Sequence, residues 1–313
     1  MEIYFSYNKI PCQTEKVITL GNFDGFHRGH QKIVSRTVAS ATDLGLSSLI
    51  MTFHPHPRQL FSGDLAILTP LERKAKLLST DVDFLLVQPF TKSFAAMDPR
   101  KFIEEILIKS LRCRKVVVGY DYSFGAAGAG NTQLLQEVCG EQGLECEIID
   151  PVWGDDEIIS STVVRNYLSQ GNVQTAAKYM GRPYAIAGRV EAGAGRGKKL
   201  GFPTANIYPP PAVALPAFGV YLVKAVFQGQ AHWGLANVGR HPTFPSHRPS
   251  LEVFVLDFQG DLYGEMMEIY FYQRIRPEQK FSHAKALQEQ VGLDLQHAHA
   301  LLETDNVLKL QRI

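Results

Sequence analysis

Over the first half of the chain, short unbroken apolar runs alternate with longer stretches in which apolar residues recur every three or four positions. The runs read as strands at about 16–21, 47–53, 83–88, 115–119 and 144–149. The periodic stretches read as helices at about 29–44, 70–79, 99–111 and 131–142. Asp98-Pro99 is a good helix start, an Asp cap followed by Pro at the first helical position, and Gly143 is a good stop. Strand–helix–strand alternation predicts a doubly wound parallel sheet with helices on both faces. Ligands in such folds sit beyond the carboxyl ends of the strands. The segments Gly21–His30 and Gly119–Gly130, which follow the first and fourth runs, are therefore expected on one rim.

After about residue 182 the pattern changes. Gly and Pro become dense, and strand-like runs recur at about 184–191, 219–227, 230–238, 251–258 and 266–272. That spacing predicts an all-β barrel or sandwich. A helical stretch at about 280–303 closes it, and Gly181-Arg182-Pro183 reads as the linker. The expected division is 1–180 and 183–313, which suits a length of 313 residues.

Composition narrows the partners. Net charge is +1, so there is no bulk electrostatic case for nucleic acid or a membrane surface, and any anion site must be local. Cys12, Cys113, Cys139 and Cys146 make neither a Cys-x-x-Cys pair nor a zinc spacing with histidine, which suits free thiols in a reducing compartment. The N-terminal stretch lacks the apolar core of a signal peptide, and no apolar run is long enough to span a bilayer. A cytoplasmic protein with small-molecule partners, a monomer or weak homo-oligomer, is expected.

The first candidate site is Gly21-Asn22-Phe23-Asp24-Gly25-Phe26-His27-Arg28-Gly29-His30, at the turn from the first strand into the first helix. A helix N-terminus offers unpaired N–H groups and partial positive charge to phosphate. Gly25 and Gly29 let the backbone approach a ligand, and His27 and His30 can donate to phosphate oxygens as charge builds. Ile159-Ser160-Ser161-Thr162-Val163-Val164-Arg165 is a second anchor, placing hydroxyls and a guanidinium one turn apart. Either segment alone also reads as an ordinary capped turn with surface polar residues.

Together the two segments resemble the His-x-Gly-His signature of the nucleotidylyltransferase superfamily and the Ile-Ser-Ser-Thr-x-x-Arg motif of prokaryotic bifunctional riboflavin kinase/FAD synthetases. The Lys-Met-Ser-Lys-Ser loop usual in class I aminoacyl-tRNA synthetases does not occur. The resemblance implies catalytic roles for His27, His30 and Arg165, and ATP contacts from Gly21, Asn22, Phe23, Asp24, Gly25, Gly29, Ser160, Ser161 and Thr162. Thr52-Phe53-His54-Pro55-His56-Pro57 is similar to the family's Thr-Phe-x-Pro-His-Pro, which implies flavin contacts from Phe53, His56 and Pro57; a rigid proline loop is the other reading. Gly119-Tyr120-Asp121-Tyr122-Ser123-Phe124-Gly125 resembles Gly-x-Asp-Phe-Arg-Phe-Gly, which adds Asp121 on the flavin side, and Asn131 follows as an ATP contact. Here the chain departs from the pattern: basic residues are expected where Ser123 and Gly128 stand. Charge-assisted hydrogen bonds are worth about 1.5–3 kcal/mol each, so their loss would weaken triphosphate binding.

In the second half, Arg196-Gly197-Lys198-Lys199-Leu200-Gly201-Phe202-Pro203-Thr204-Ala205-Asn206 combines glycines with cations. It is one residue short of a Walker A loop and lacks its Ser/Thr. A mobile loop or an RNA contact is the plain alternative. Thr204 and Asn206, two apart on extended chain, point the same way, and their oxygens suit hard Mg²⁺. Glu252 shares a strand face with Phe254, Leu256 and Phe258; it either escapes to water at the strand end or has a chemical task. These segments resemble the riboflavin kinase motifs, with Lys198 in place of the family's second Arg. The resemblance implies Thr204 and Asn206 as ligands of Mg²⁺, Gly195, Gly197 and Lys199 as ATP contacts, Glu252 as general base and Arg276 near the flavin. Arg276 also reads as a solvated arginine after a strand.

The expected fold is thus an N-terminal nucleotidylyltransferase-type parallel sheet plus a C-terminal riboflavin kinase-like barrel with a terminal helix. The expected activity converts riboflavin to FMN and FMN to FAD with ATP and Mg²⁺. The alternative is a monofunctional riboflavin kinase whose first half has become a scaffold or nucleotide sensor.

Overall fold

The computed structural model describes residues 1–11, 14–63, 65–79, 82–193, 197, 201–240 and 249–303. The chain divides into two compact units, Met1–Ser161 and Thr162–Ile313.

The first unit is a six-stranded sheet of β1 (Glu2–Tyr4), β2 (Lys16–Leu20), β3 (Ser47–His54), β4 (Phe84–Pro89), β5 (Cys113–Gly119) and β6 (Glu145–Ile149). Every neighbouring pair is parallel, in the order β1-β4-β3-β2-β5-β6. The chain winds from β2 through β3 to β4, then crosses back to place β5 and β6 on the other side of β2. The order therefore reverses between β2 and β5, the position at which open α/β sheets bind ligands.

Apolar strands this continuous need cover on both faces. Along β3, Ile50 turns to one face, with Leu85 and Val87, under helices α1 (Arg28–Leu44) and α3 (Leu71–Leu78). Its neighbours Leu49 and Met51 turn to the other, with Val116 and Val118. That face lies under a π-helical stretch, Phe102–Ser110, and α6 (Thr132–Glu141). Three short helices connect the layers: α2 (Pro57–Ser62), α4 (Lys92–Ala95) and α5 (Pro99–Lys101). Asp98 caps α5 as its sequence suggests, accepting from the Lys101 amide at 3.0 Å.

All of α7 (Ser161–Ser169) after its first residue belongs to the second unit, as does α8 (Val173–Met180), which ends at left-handed Gly181. Six antiparallel strands follow: β7 (Tyr184–Glu191), β8 (Ala205–Ile207), β9 (Gly219–Phe227), β10 (Gln230–Arg240), β11 (Pro249–Val255) and β12 (Met266–Pro277). They close into a barrel in the order β10-β11-β8-β7-β12-β9. Its interior is apolar and dense, with Ile186, Tyr221, Ala236, Val253 and Phe271 all at or below 2% exposure. The last helix, α9 (Ala284–Leu302), lays Leu295, Ala298 and Leu301 over the outer-face residues Leu222, Leu235 and Tyr272.

The sequence pattern misses two strands, β1 and β8, each three residues long. An element that short has no period to read. The run expected at 251–258 stops at Val255, and Asp257 turns the chain with φ 54°.

Candidate active site

In the first unit β2 ends at Leu20, and the loop that follows is strongly bent: Phe23, Gly25 and Phe26 have φ of 49°, 81° and 38°. The left-handed region suits Gly but is costly for a phenylalanine. The bend delivers His27 to the N-cap of the 17-residue α1, where its Nδ1 accepts from the His30 amide at 3.4 Å. The two imidazoles stack with centroids 3.7 Å apart, and the Phe23 ring meets His30 edge-on at 5.3 Å. Two stacked imidazoles thus stand at the positive end of a long helix, beside the switch point of the sheet. A Cβ on Gly29 would sit 3.1 Å from His27 Nδ1, and one on Gly21 3.1 Å from the Phe23 ring.

The second motif begins against this loop. The Ser161 hydroxyl donates to the Asp24 carbonyl at 2.8 Å, and the Ile159 carbonyl lies 3.8 Å from the Gly29 Cβ position. Ser160 precedes α7, which carries exposed Thr162 and then Arg165.

Two buried charges brace the loop from below. Asp24 is 2% exposed, and its carboxylate accepts from the amides of Leu68 (3.0 Å) and Thr69 (2.9 Å). The Gly25 amide donates to Thr69 Oγ1 at 3.1 Å. Lys74, on α3, donates to the Asn22 carbonyl at 2.6 Å. Burial lowers its pKa to about 8 from 10.5, against an opposing pull from Asp24. Among the described residues the buried Asn22 side-chain Oδ1 has no hydrogen-bond partner.

Other residues singled out by the sequence have visible structural employment. Phe53, at the end of β3, packs on Phe90 and Phe94 at 5.5 and 5.9 Å. His56 caps α2 by accepting from the Arg58 amide, and Pro57 is the first residue of that helix. Asn131 caps α6, accepting from Leu134 at 2.9 Å. Asp121 is exposed, with Oδ1 3.3 Å from where a Cβ on Gly119 would stand. Ser123 and Gly128 are both exposed.

In the second unit the candidate residues lie across strands. β8 runs between β7 and β11, which sets Asn206 opposite both Glu191 and Glu252; Glu252 in turn faces Asn237 on β10. Directly opposed residues share a face, so Asn237, Glu252, Asn206 and Glu191 form one polar row on the outside of the barrel. The wholly buried face of β11 belongs to Leu251 and Val253; Glu252 is half-buried on the other, beside Phe254. The Tyr208 hydroxyl has a raised pKa, first from burial and then from the charges of Glu191 and Glu252.

Asn206 is 6% exposed, and its Nδ2 reaches the Thr204 carbonyl at only 3.4 Å. Gly193 has no room for a side chain, since a Cβ there would run into the Asn206 amide. A Cβ on Gly197 would stand 3.2 Å from Thr204 Oγ1. Gly195 and Lys199 lie outside the described residues, as do Arg196 and Lys198. Arg276 grips Asp294 of α9 through Nε (2.9 Å) and Nη2 (2.9 Å), both groups being largely buried. Its guanidinium therefore joins barrel to helix.

Thr204 and Asn206 offer hard oxygen donors, which fit Mg²⁺ shared with phosphate rather than a closed protein cage. Among the described residues no group of three or more His, Cys, Asp or Glu side chains is arranged to hold a metal by itself. No described helix is long and apolar enough to cross a membrane.

The sequence reading passed over Lys74, Glu191 and Asp294. Only Lys74 left a signal: it falls on the apolar stripe of its helix, between Leu71, Ala75 and Leu78.

Comparison with known proteins covers both halves. Residues 9–163 match the FAD synthetase family and residues 180–302 the riboflavin kinase family. A bifunctional riboflavin kinase/FMN adenylyltransferase of Bacillus subtilis is 38% identical over 91% of this chain and 92% of its own length. A Pseudomonas fluorescens protein of the same description is 37% identical over 94% and 96%, and one from Escherichia coli 37% over 89% and 90%. Among solved structures, one from Streptococcus pneumoniae described as a macrolide-efflux protein matches with a TM-score of 0.86 and 31% identity, covering 95% of this chain and 98% of that one.

Proposed function

The chain belongs to the bifunctional riboflavin kinase/FMN adenylyltransferase family, and from that membership we propose how its parts divide the chemistry. It is a transferase that uses ATP twice: once to phosphorylate riboflavin and once to adenylylate FMN. The pneumococcal structure is described as a macrolide-efflux protein, but the two family matches and the curated relatives support transfer chemistry. The observation that carries the reading is that the FAD synthetase match and the riboflavin kinase match fall on separate stretches of one chain.

Residues 1–180 serve the second transfer. A phosphate oxygen of FMN attacks the α-phosphorus of ATP, the bond to the β-phosphate oxygen breaks, and pyrophosphate leaves. His27 and His30, with the positive end of α1, stabilise the charge that develops on phosphate. The stacked ring pair at the helix end supports this role, and Asn22 Oδ1, unpartnered among the described residues, supports a ligand donor beside it. Gly21, Phe23, Asp24, Gly25 and Gly29 shape the ATP side, joined by Ser160, Ser161, Thr162, Arg165 and Asn131. Phe53, His56, Pro57 and Asp121 face the flavin.

Residues 183–313 serve the first transfer. Glu252 takes the proton of the riboflavin 5′-hydroxyl, whose oxygen bonds to the γ-phosphorus as the β–γ bridge breaks and ADP leaves. The row that sets Asn206 beside Glu252 supports this assignment. Thr204 and Asn206 would hold Mg²⁺, which screens the charge of the phosphates. Gly195, Gly197 and Lys199 are assigned to ATP on the motif that they share with the family. Arg276, held by Asp294, fixes the flavin end by fixing α9 against β12. The net charge of +1 supports small-molecule partners rather than nucleic acid or membrane, and the enzyme works in the cytoplasm as a monomer or weak oligomer.

The test is a time course of the pure chain with riboflavin, ATP and Mg²⁺, the flavins separated by chromatography. FMN should appear first and FAD after it. Absence of FMN removes the kinase assignment. FMN without FAD favours the monofunctional alternative, in which the neutral Ser123 and Gly128 have cost the first half its activity.

A further inference from the structure

A lysine ammonium in a protein core is expensive unless its donors are satisfied and its charge balanced. Lys74 is 6% exposed, on a helix face otherwise apolar. It is satisfied in a specific way. Its Nζ donates to the Asn22 carbonyl at 2.6 Å and to Thr52 Oγ1 at 3.2 Å, while Thr52 Oγ1 itself donates to the same carbonyl at 3.2 Å. The group that faces it from the loop is the buried carboxylate of Asp24. Glu72, Arg73 and Lys76 share its own helix.

The segment so braced is the one in which Phe23 and Phe26 adopt left-handed backbone. Such conformations persist only where the surroundings over-determine them, and they cluster where a backbone must be aimed. The carbonyl that Lys74 holds is one residue before Phe23, and the bend leads directly into the histidine cap of α1. We propose that Lys74 is a positioning residue for adenylyl transfer: its buried ammonium, bonded to the Asn22 carbonyl and balanced by Asp24, holds the 21–27 loop so that the first turn of α1 meets phosphate. This rests on the adenylyltransferase reading of that site. Burial lowers the Lys74 pKa to about 8, so the hold is charged at neutral pH and is lost as pH rises through that value.

The test compares the full-length wild type with Lys74→Met and Lys74→Arg. Rates of FAD formation from FMN, ATP and Mg²⁺ are measured from pH 6.5 to 9.5, with riboflavin phosphorylation on the same samples as a fold control. A misplaced reacting group costs about 100-fold, so K74M should lose about that factor in FAD formation while phosphorylating riboflavin at the wild-type rate. The wild type should decline above about pH 8, and K74R, which keeps its charge at every pH tested, should not. Wild-type FAD formation by K74M, or the same alkaline decline in K74R, overturns the proposal; should K74M fail to fold, the K74R profile decides alone. Amide exchange of the 21–30 peptide reads the brace without turnover and is expected to quicken about tenfold in K74M. If the wild type makes no FAD, the adenylyltransferase reading fails, and unchanged exchange in K74M would still separately overturn the brace.

Discussion

In the first unit the candidate site is a loop beyond the end of β2, and its working groups are contiguous in sequence: a bent backbone, two stacked histidines and the N-terminus of α1. In the second unit the candidate site is a row across four strands, and none of its members is adjacent in sequence to another. Both arrangements suit a nucleoside triphosphate. The loop site depends on what lies beneath it, since Asp24 and Lys74 must hold strained backbone in place. The row depends on register, because a one-residue slip of β8 would turn Asn206 to the interior and Ala205 outward. Mutations should therefore separate the halves cleanly in chemistry while damaging them through different physical routes.

The largest effects should come from the reacting groups. Glu252→Gln is expected to lower riboflavin phosphorylation about 1,000-fold, within the range for a general base, and to leave FAD formation from supplied FMN within about twofold. His30→Ala should do the converse, lowering FAD formation about 100-fold as for loss of one charge-stabilising donor while FMN formation persists. Steady-state rates of each half-reaction decide, and a variant that removes both activities would break the separation.

What the sequence made legible follows the same contrast. His27-x-Gly29-His30 sits at a strand-to-helix turn that periodicity alone locates, so fold and site came into view together. Asn206 and Glu252 could each be singled out from the residues around them, but their pairing could not, because it depends on β8, a three-residue strand after a proline loop. Arg276 read as a flavin contact or a solvated arginine. Its partner Asp294, in a distant helix, is what commits it to tying β12 to α9. Periodicity sees local order and is blind to which strand lies beside which. Lys74 is the intermediate case: its place on an apolar stripe was readable, but its purpose was not without Asn22 and Thr52 around it.

Smaller effects sharpen the contrast. Asp294→Ala leaves a mostly buried Arg276 without its counter-charge, which should cost about 3 kcal/mol. Urea melts of the second unit read this, with the transition of the first unit unmoved. Ser123→Arg restores a cation on an exposed loop. Its expected benefit is about 1 kcal/mol, seen as a KM for ATP about fivefold lower in FAD formation and unchanged in riboflavin phosphorylation. An equal change in both reactions would mean that the two ATP sites are not independent.

The most direct test of two separate phosphate transfers is to supply riboflavin with ATP labelled at either the γ- or the α-phosphorus and to isolate the flavins. Label from the γ position should enter FMN and remain in FAD, and label from the α position should enter FAD but never FMN. FAD lacking α-label, or FMN lacking γ-label, would contradict the account.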